Sequence, residues 1–503
     1  MRWPIAFATM LLASPAFADH TSAHVTANGD VAVTDNVFSV SRDANPEADV
    51  YTQLRPGVLF TWETPRMIQT LEASAELLEY ATHNNTDPTF SLFGKWDSLW
   101  TPGPRSQFGL GASAGNGHIS SLSSRNSPDQ VPTGLIPSGD SSLRQAEAHE
   151  YLSWQATRDT RTNQLANFQW VATDDNAPMP TTTSSFSGIF GLGFDHLWTH
   201  DTVGIQVSGT VLHLERIAPM GANPPSRLDQ QLNPAATVGW RHDYTKHWST
   251  ALNGGIVYVN PYGTDPHNPG ATDRVASPYP VASGTVQYTD VWGGANLTLG
   301  RTIAPNLYIA QNTVDTGAVM KLTLPLPWLD SRPRNGDPLF TLLGTLGVDR
   351  TELVDSTTSD LQGAFTIGRA DVALQWQPTA SQKYAVRYEF VYQHGDTIAA
   401  AVTPSYFRNT VYFEFSWRYP ELVATQVPRR QGASNRADGA DVSSPIGAEP
   451  VVPDAAEPSP ASYGNDAPDP NAAGGNAGGT SGGPAGGTLG GTGGSIPSPS
   501  DDK

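Results

Sequence analysis

A chain of 503 residues with 48 acidic against 29 basic side chains, a formal net charge of -19, is a poor match for nucleic acid, whose phosphates it would repel. It has no cysteine, which excludes a lipoprotein anchor, a disulfide framework and a thiolate site. Mean hydropathy is -0.34 with 15% charged residues, and after the first 18 residues no apolar run reaches the roughly 20 positions that a membrane-spanning helix needs.

Residues 1–18 read as a secretion signal: Arg2 gives a basic start, Ile5 to Leu12 an apolar core, and Ala16-Phe17-Ala18 a small-x-small cleavage site. The mature chain is expected to begin at Asp19. Residues 19–420 hold nearly all the aromatic side chains, whereas 421–503 are rich in Gly, Pro, Ala, Ser and Asp, with one Tyr and no Trp or Phe. Such a tail cannot bury enough apolar surface to offset chain entropy and is predicted to be disordered, either as a solvated spacer or as a tether.

Between these ends, short and long connections alternate. Short turns are expected at 63–65, 102–105, 158–163, 199–202, 245–247, 302–305 and 378–382. Longer Pro- and Asn-rich loops are expected at 81–88, 122–142, 174–183, 217–230, 261–277, 327–338 and 395–406. Alternation of this kind suits an outer-membrane β-barrel, with short turns on the periplasmic side. Trp62, Trp100, Trp154, Trp198, Tyr244, Trp248 and Trp376 flank the short turns and Trp417 lies near the last strand's end, as an aromatic girdle at the inner membrane interface would require. A secreted soluble β-protein is the plainer alternative, but it offers no reason for Trp to recur beside one class of turn.

Individual segments carry the two-residue period of strands. Phe186, Phe190, Leu192, Phe194 and Trp198 share one parity, and Ser187, Gly191, Gly193 and Asp195 the other. Val203, Ile205, Val207 and Val211 likewise oppose Gly204, Gln206, Ser208 and Thr210. The expected fold is therefore all-β: a transmembrane antiparallel barrel of about 16 strands, or 18 if 339–350 and its neighbours add a hairpin. If both ends lie in the periplasm, the number is even. A lumen of this size holds water unless something folds inward, for which 122–142 is the candidate.

The last strand, 409–419, puts Val411, Phe413, Phe415, Trp417 and Tyr419 on one face, read as lipid-facing and as the signal for the barrel-assembly machinery. Glu414 and Arg418 lie on the other face. With Arg369, Asp371, Arg387 and Glu389 from the two preceding strands they form a predicted charged lumen wall, either a cross-strand salt-bridge lattice or a substrate-selective ring. Thr410, Tyr412, Ser416, Gln206, Ser208 and Thr210 are further expected solute contacts. His149-Glu150 and His242-Asp243 cannot act together as adjacent strand residues, because they point to opposite faces. No enzyme, metal or cofactor is expected.

The stretches Thr34-Asp35-Asn36-Val37-Phe38, Pro102-Gly103-Pro104-Arg105, Tyr262-Gly263-Thr264-Asp265-Pro266, Pro325-Leu326-Pro327-Trp328-Leu329-Asp330 and Phe407-Arg408-Asn409-Thr410-Val411-Tyr412-Phe413 resemble the outer-membrane β-barrels of myxobacteria and related deltaproteobacteria linked to polysaccharide secretion. That resemblance implies a conduit for exopolysaccharide or spore-coat polymer, working with a separate periplasmic polysaccharide-export protein. A general diffusion porin for small polar solutes is the second expectation. The third is an adhesive or structural surface barrel.

Overall fold

The structure, a computed structural model, describes residues 20–37, 46–82, 89–119, 141–175, 181–219, 225–263, 265–267, 275–290, 292–306, 310–329, 339–354, 361–379, 381–396 and 405–420. The signal segment and the tail from 421 onward lie outside these residues; of the candidate plug at 122–142, residues 122–140 also lie outside them, and 141–142 begin a strand.

Among the described residues nineteen strand segments follow one another in chain order. They are β1 (His20–Thr34), β2 (Asp49–Thr64), β3 (Met67–Tyr80), β4 (Thr89–Gly103), β5 (Ser106–Ile119), β6 (Ser141–Gln155), β7 (Thr160–Asp175), β8 (Thr182–Leu197), β9 (Asp201–Ile217) and β10 (Arg227–Asp243). Then come β11 (Trp248–Val259), β12 (Pro261–Tyr262), β13 (Ser277–Asp290), β14 (Gly293–Asn306), β15 (Gln311–Pro325), β16 (Phe340–Val354), β17 (Leu361–Thr379), β18 (Gln382–Gly395) and β19 (Tyr406–Tyr419). The two-residue β12 continues β11 along the same partner, β10, so the wall has 18 positions. Every neighbour pairs antiparallel, and β1 pairs with both β2 and β19, closing the sheet into a barrel without edges.

Closure follows from the two-faced strands. In β8 the exposed side chains Phe190, Leu192 and Phe194 alternate with buried Ile189, Gly191 and Asp195. Outward Val207, Val348, Val372 and Phe413 are each at least half exposed, and together such residues make an apolar exterior that lipid must cover. Strands of 14 to 17 residues, such as β8 with 16 and β10 with 17, exceed the roughly 9–11 needed to cross the hydrocarbon. This is a transmembrane β-barrel.

Two sequence expectations need correction, and they share one cause. The segment 302–305 is not a turn: it ends β14, whose ladder with β15 runs to Asn306 opposite Gln311. The real turn lies between Asp290 of β13 and Gly293 of β14, where Gly293 has φ 147 and a Cβ would meet the Thr323 carbonyl oxygen at 2.7 Å. Shifting the turn by one strand also reverses the side of the following connection. The described residues 326–329, with a 3-10 turn at Pro327–Leu329, and 339 therefore lie at the same barrel end as the short turns, not at the end of the long loops. The stretch 339–350 supplies β16, which completes the larger of the two expected strand numbers.

Candidate functional site: the inner wall and its crossing

Inward parity gathers the predicted charges. On β17, β18 and β19, Arg369 Nη2 lies 3.0 Å from Glu389 Oε1, Arg408 Nη2 lies 3.9 Å from Glu389 Oε2, and Arg387 Nε donates to Asp371. Arg387 Nη1 also reaches Glu414 Oε1 at 3.7 Å, and its guanidinium sits 5.5 Å over the Tyr412 ring, a cation–π distance. The Tyr412 hydroxyl donates to Glu389 Oε2 at 2.7 Å.

Four of the six predicted wall residues, Arg369, Asp371, Arg387 and Glu389, are thus joined and almost wholly buried, at 3–4% exposure. Glu414 is half-buried at the lattice margin, and Arg418 faces inward outside it. The arrangement is a cross-strand ion-pair lattice, in which each buried charge has partners that offset its lost hydration. Its two central additions, Arg408 and Tyr412, have different histories. Arg408 was missed because the strand begins at Tyr406, three residues before the expected start. Tyr412 was read as a solute contact but is 0% exposed, as is Thr210, with Thr410 at 1%. Gln206 and Ser208 are buried too, though each keeps a little surface, so of these five Tyr412, Thr210 and Thr410 offer essentially none to solute; Ser416 is half-buried and donates to Asn28 at 2.6 Å.

Smaller charge pairs repeat the design elsewhere. Arg55 and Glu76, direct cross-strand partners, meet at 2.6 Å. Arg161 meets Asp195 at 2.8 Å, and Asn163 donates to the same carboxylate at 2.7 Å. Asp195 fits because Gly204 stands opposite it: a Cβ there would come within 2.2 Å of Asp195 Oδ1. Gly204→Ala should therefore lower barrel stability by about 1–3 kcal/mol through overpacking. The check is the temperature at which the folded form loses its compact electrophoretic mobility, and an unshifted transition would show that Asp195 can move aside.

The histidine pairs separate as strand geometry requires. His149 faces inward, 3.6 Å from Asp97, whereas Glu150 faces lipid and accepts from Gln164 at 3.4 Å. His242 faces outward and contacts Asp201, while Asp243 contacts Arg241. Among the described residues no cluster of three His, Asp or Glu side chains could hold a metal ion.

At the long-loop end, the described end of the β14–β15 hairpin folds inward against the neighbouring strands β10, β11 and β13. Leu297, Leu299 and Met320 face outward on these strands and are exposed. Ile303 and Val314, on the same parities higher up and directly paired, are instead 2% and 1% exposed, packed with Val257, Val259 and Tyr279 from the inner faces of β11 and β13. Both sides of the tip are covered, with Asn312 and Thr313 each 1% exposed. Asn312 Nδ2 donates to the side-chain carbonyl of Gln231 on β10, although β11, β13 and β14 stand between the two strands in the wall. Wall spacing of roughly 4.8 Å per strand forbids that contact along the circumference, so the tip bends inward. Gln231 is fixed in turn by Asp229, at 2.8 Å, and accepts from Asn233 at 3.1 Å.

The predicted girdle residues all lie at the short-turn end. Trp100, Trp154, Trp198, Tyr244, Trp248 and Trp376 are exposed, while Trp62 and Trp417 are half-buried. Trp240 and Trp292 belong to the same belt and were missed, Trp292 because its turn was misplaced. The last strand's aromatic face, read from sequence as the assembly signal, also holds its parity: Val411, Phe413, Phe415 and Tyr419 are exposed and Trp417 is half-buried.

No known protein family matches the chain, and no curated protein matches it. Among solved structures it is similar to Pseudomonas aeruginosa OccK2 (OpdF) in complex with glucuronate, at 10% identity, covering 80% of this chain and 99% of that one with a TM-score of 0.42. It is also similar to the outer membrane protein OpdK of Pseudomonas aeruginosa, at 8% identity, 79% and 99% coverage and a TM-score of 0.39. The alcaligin outer membrane receptor FauA of Bordetella pertussis gives 7% identity, 78% and 76% coverage and a TM-score of 0.40.

Proposed function

We propose that this chain is an outer-membrane channel through which small polar solutes diffuse, with the inward β14–β15 tip setting the size limit. The observation that carries this reading is the Asn312–Gln231 bond, which holds the described end of the β14–β15 hairpin inside the ring of strands. A wall stiffened by buried ion pairs holds a passage at fixed width, and a hairpin end folded inward near its mouth restricts what enters. The mechanism needs no chemistry: solute exchanges water hydrogen bonds for those of the lining and moves down its gradient.

The test is conductance in planar bilayers together with swelling of liposomes in sugars of graded length. Asn312→Ala combined with Gln231→Ala should raise single-channel conductance and admit longer sugars than the unaltered chain. Unchanged conductance and cutoff would remove the tip as the limiting element.

Polysaccharide export with a periplasmic export protein is the second reading, supported by the stretches around Asp35, Tyr262 and Arg408 that resemble secretion-linked barrels. It requires the tip to withdraw while polymer passes. A deletion strain that makes polymer but fails to expose it would favour export, whereas normal surface polymer with lost uptake of small solutes would favour the channel. In either reading the tail beyond 420 is placed in the periplasm.

A further inference from the structure

Two carboxylates stand where a membrane barrel ordinarily keeps apolar or aromatic side chains. Asp201, the first residue of β9, lies on the same face as Val203 and Ile205, which are outward and apolar. Its Oδ1 accepts from Trp240 Nε1 at 2.9 Å and from His242 Nδ1 at 2.8 Å. Asp290, the last residue of β13, shares the outward parity of Val286 and Tyr288. Its Oδ2 accepts from the Tyr288 hydroxyl at 3.0 Å and from Trp292 Nε1 at 2.8 Å.

Each acid is therefore held by N–H or O–H groups of ring side chains. The rings form packed groups: Trp240 stacks on His242 at 5.8 Å between centroids, and Tyr288 lies 4.8 Å from Trp248 and 6.1 Å from Trp292. The β10–β11 turn separates the two groups, so both occupy the outer rim at the short-turn end, at the level of the aromatic belt.

Charge at this level selects its neighbours. A fixed carboxylate beside phospholipid phosphates disfavours anionic headgroups and favours a headgroup that presents a cation. Aromatic faces add cation–π attraction for any ammonium, but a hydrogen bond to the carboxylate also requires N–H donors. We infer that Asp201 and Asp290, with their flanking rings, are two docking sites for the primary ammonium headgroup of phosphatidylethanolamine in the leaflet at the short-turn end. The commitment to lipid rather than to a protein lysine rests on the outward parity of both acids in a closed, lipid-covered wall.

Native mass spectrometry of the full chain, released from bilayers of equal phosphatidylethanolamine, phosphatidylcholine and phosphatidylglycerol, reads the occupancy directly. The ethanolamine lipid should be retained about tenfold over the choline lipid, from one charge-assisted hydrogen bond per site. Phosphatidylglycerol should be retained least. Asp201→Asn with Asp290→Asn should abolish the preference while heat-dependent mobility shows the barrel still folded, and Asp195→Asn, on the inner face, should keep it. Equal retention of ethanolamine and choline lipids, enrichment of phosphatidylglycerol, or a preference that survives the double substitution would each overturn the proposal.

Discussion

Glu389→Ala should destabilise the folded barrel by about 3–5 kcal/mol, the usual consequence of removing one member of a buried ion pair. Glu389 is ion-paired with Arg369 and Arg408 and accepts the Tyr412 hydroxyl, and all four side chains are at most 3% exposed. Without it, two guanidiniums keep their desolvation cost and lose the anion between them. The readout is the temperature at which the compact electrophoretic form converts to the unfolded one. A second variant separates charge from lost volume: Arg369→Met and Arg408→Met added to Glu389→Ala should recover much of the loss, because apolar replacements of a buried charged group are often neutral. If Glu389→Ala leaves the transition in place, the lattice does not stiffen the wall.

The second large effect lies on the opposite face of the neighbouring strand. Phe415→Ala with Trp417→Ala should leave little protein inserted in the outer membrane. Phe415 ends a row of aromatic rings that crosses four adjacent strands through direct register partners: Phe340 to Trp376, Trp376 to Tyr384, and Tyr384 to Phe415, the last two at 5.2 Å between centroids. Trp417 stacks on Tyr419 at 6.0 Å. Removing two such side chains forfeits on the order of 3 kcal/mol each, at the strand that the barrel-assembly machinery is expected to engage. The measurement is the fraction of chain that resists urea extraction from membranes and shifts mobility on heating. Phe190→Ala, on the lipid face of β8 in mid-wall, is the control and should insert normally. Normal insertion of the double variant would place the assembly signal elsewhere.

Much of the barrel was legible because lipid on one side and a polar interior on the other impose a strict period of two. That period alone puts Arg387 and Glu389 inward and Val386 and Tyr388 outward, and it pairs Trp62 and Trp376 with turns. What it cannot reveal is departure from the cylinder. Ile303 and Val314 carry the outward parity of their strands, so nothing in the alternation marks them as folded over the lumen. Pro305 read as a turn residue, although it sits in a ladder near that tip. Burial of Tyr412 and Thr410 was equally hidden, since inward parity does not distinguish a water-lined position from one packed by neighbours. The turn before Gly293 left a trace in Trp292-Gly293-Gly294, two glycines directly after a Trp, which the Trp-by-turn rule could have found.

Closure of the ring carries a kinetic consequence. Apart from the clasp, neighbouring strands pair with partners nearby in sequence, so most of the sheet can assemble hairpin by hairpin. The clasp joins Val25 to Tyr419 and Thr34 to Thr410, and it waits on the last strand. Its entropic cost grows only slowly with loop length, about 0.6 kcal/mol per doubling, so distance does little to weaken the finished ring. Distance acts instead on time: until β19 arrives, β1 and the growing end both present open ladders able to pair with another chain. In a nascent barrel of this design the two ends therefore stay open to other chains until they meet.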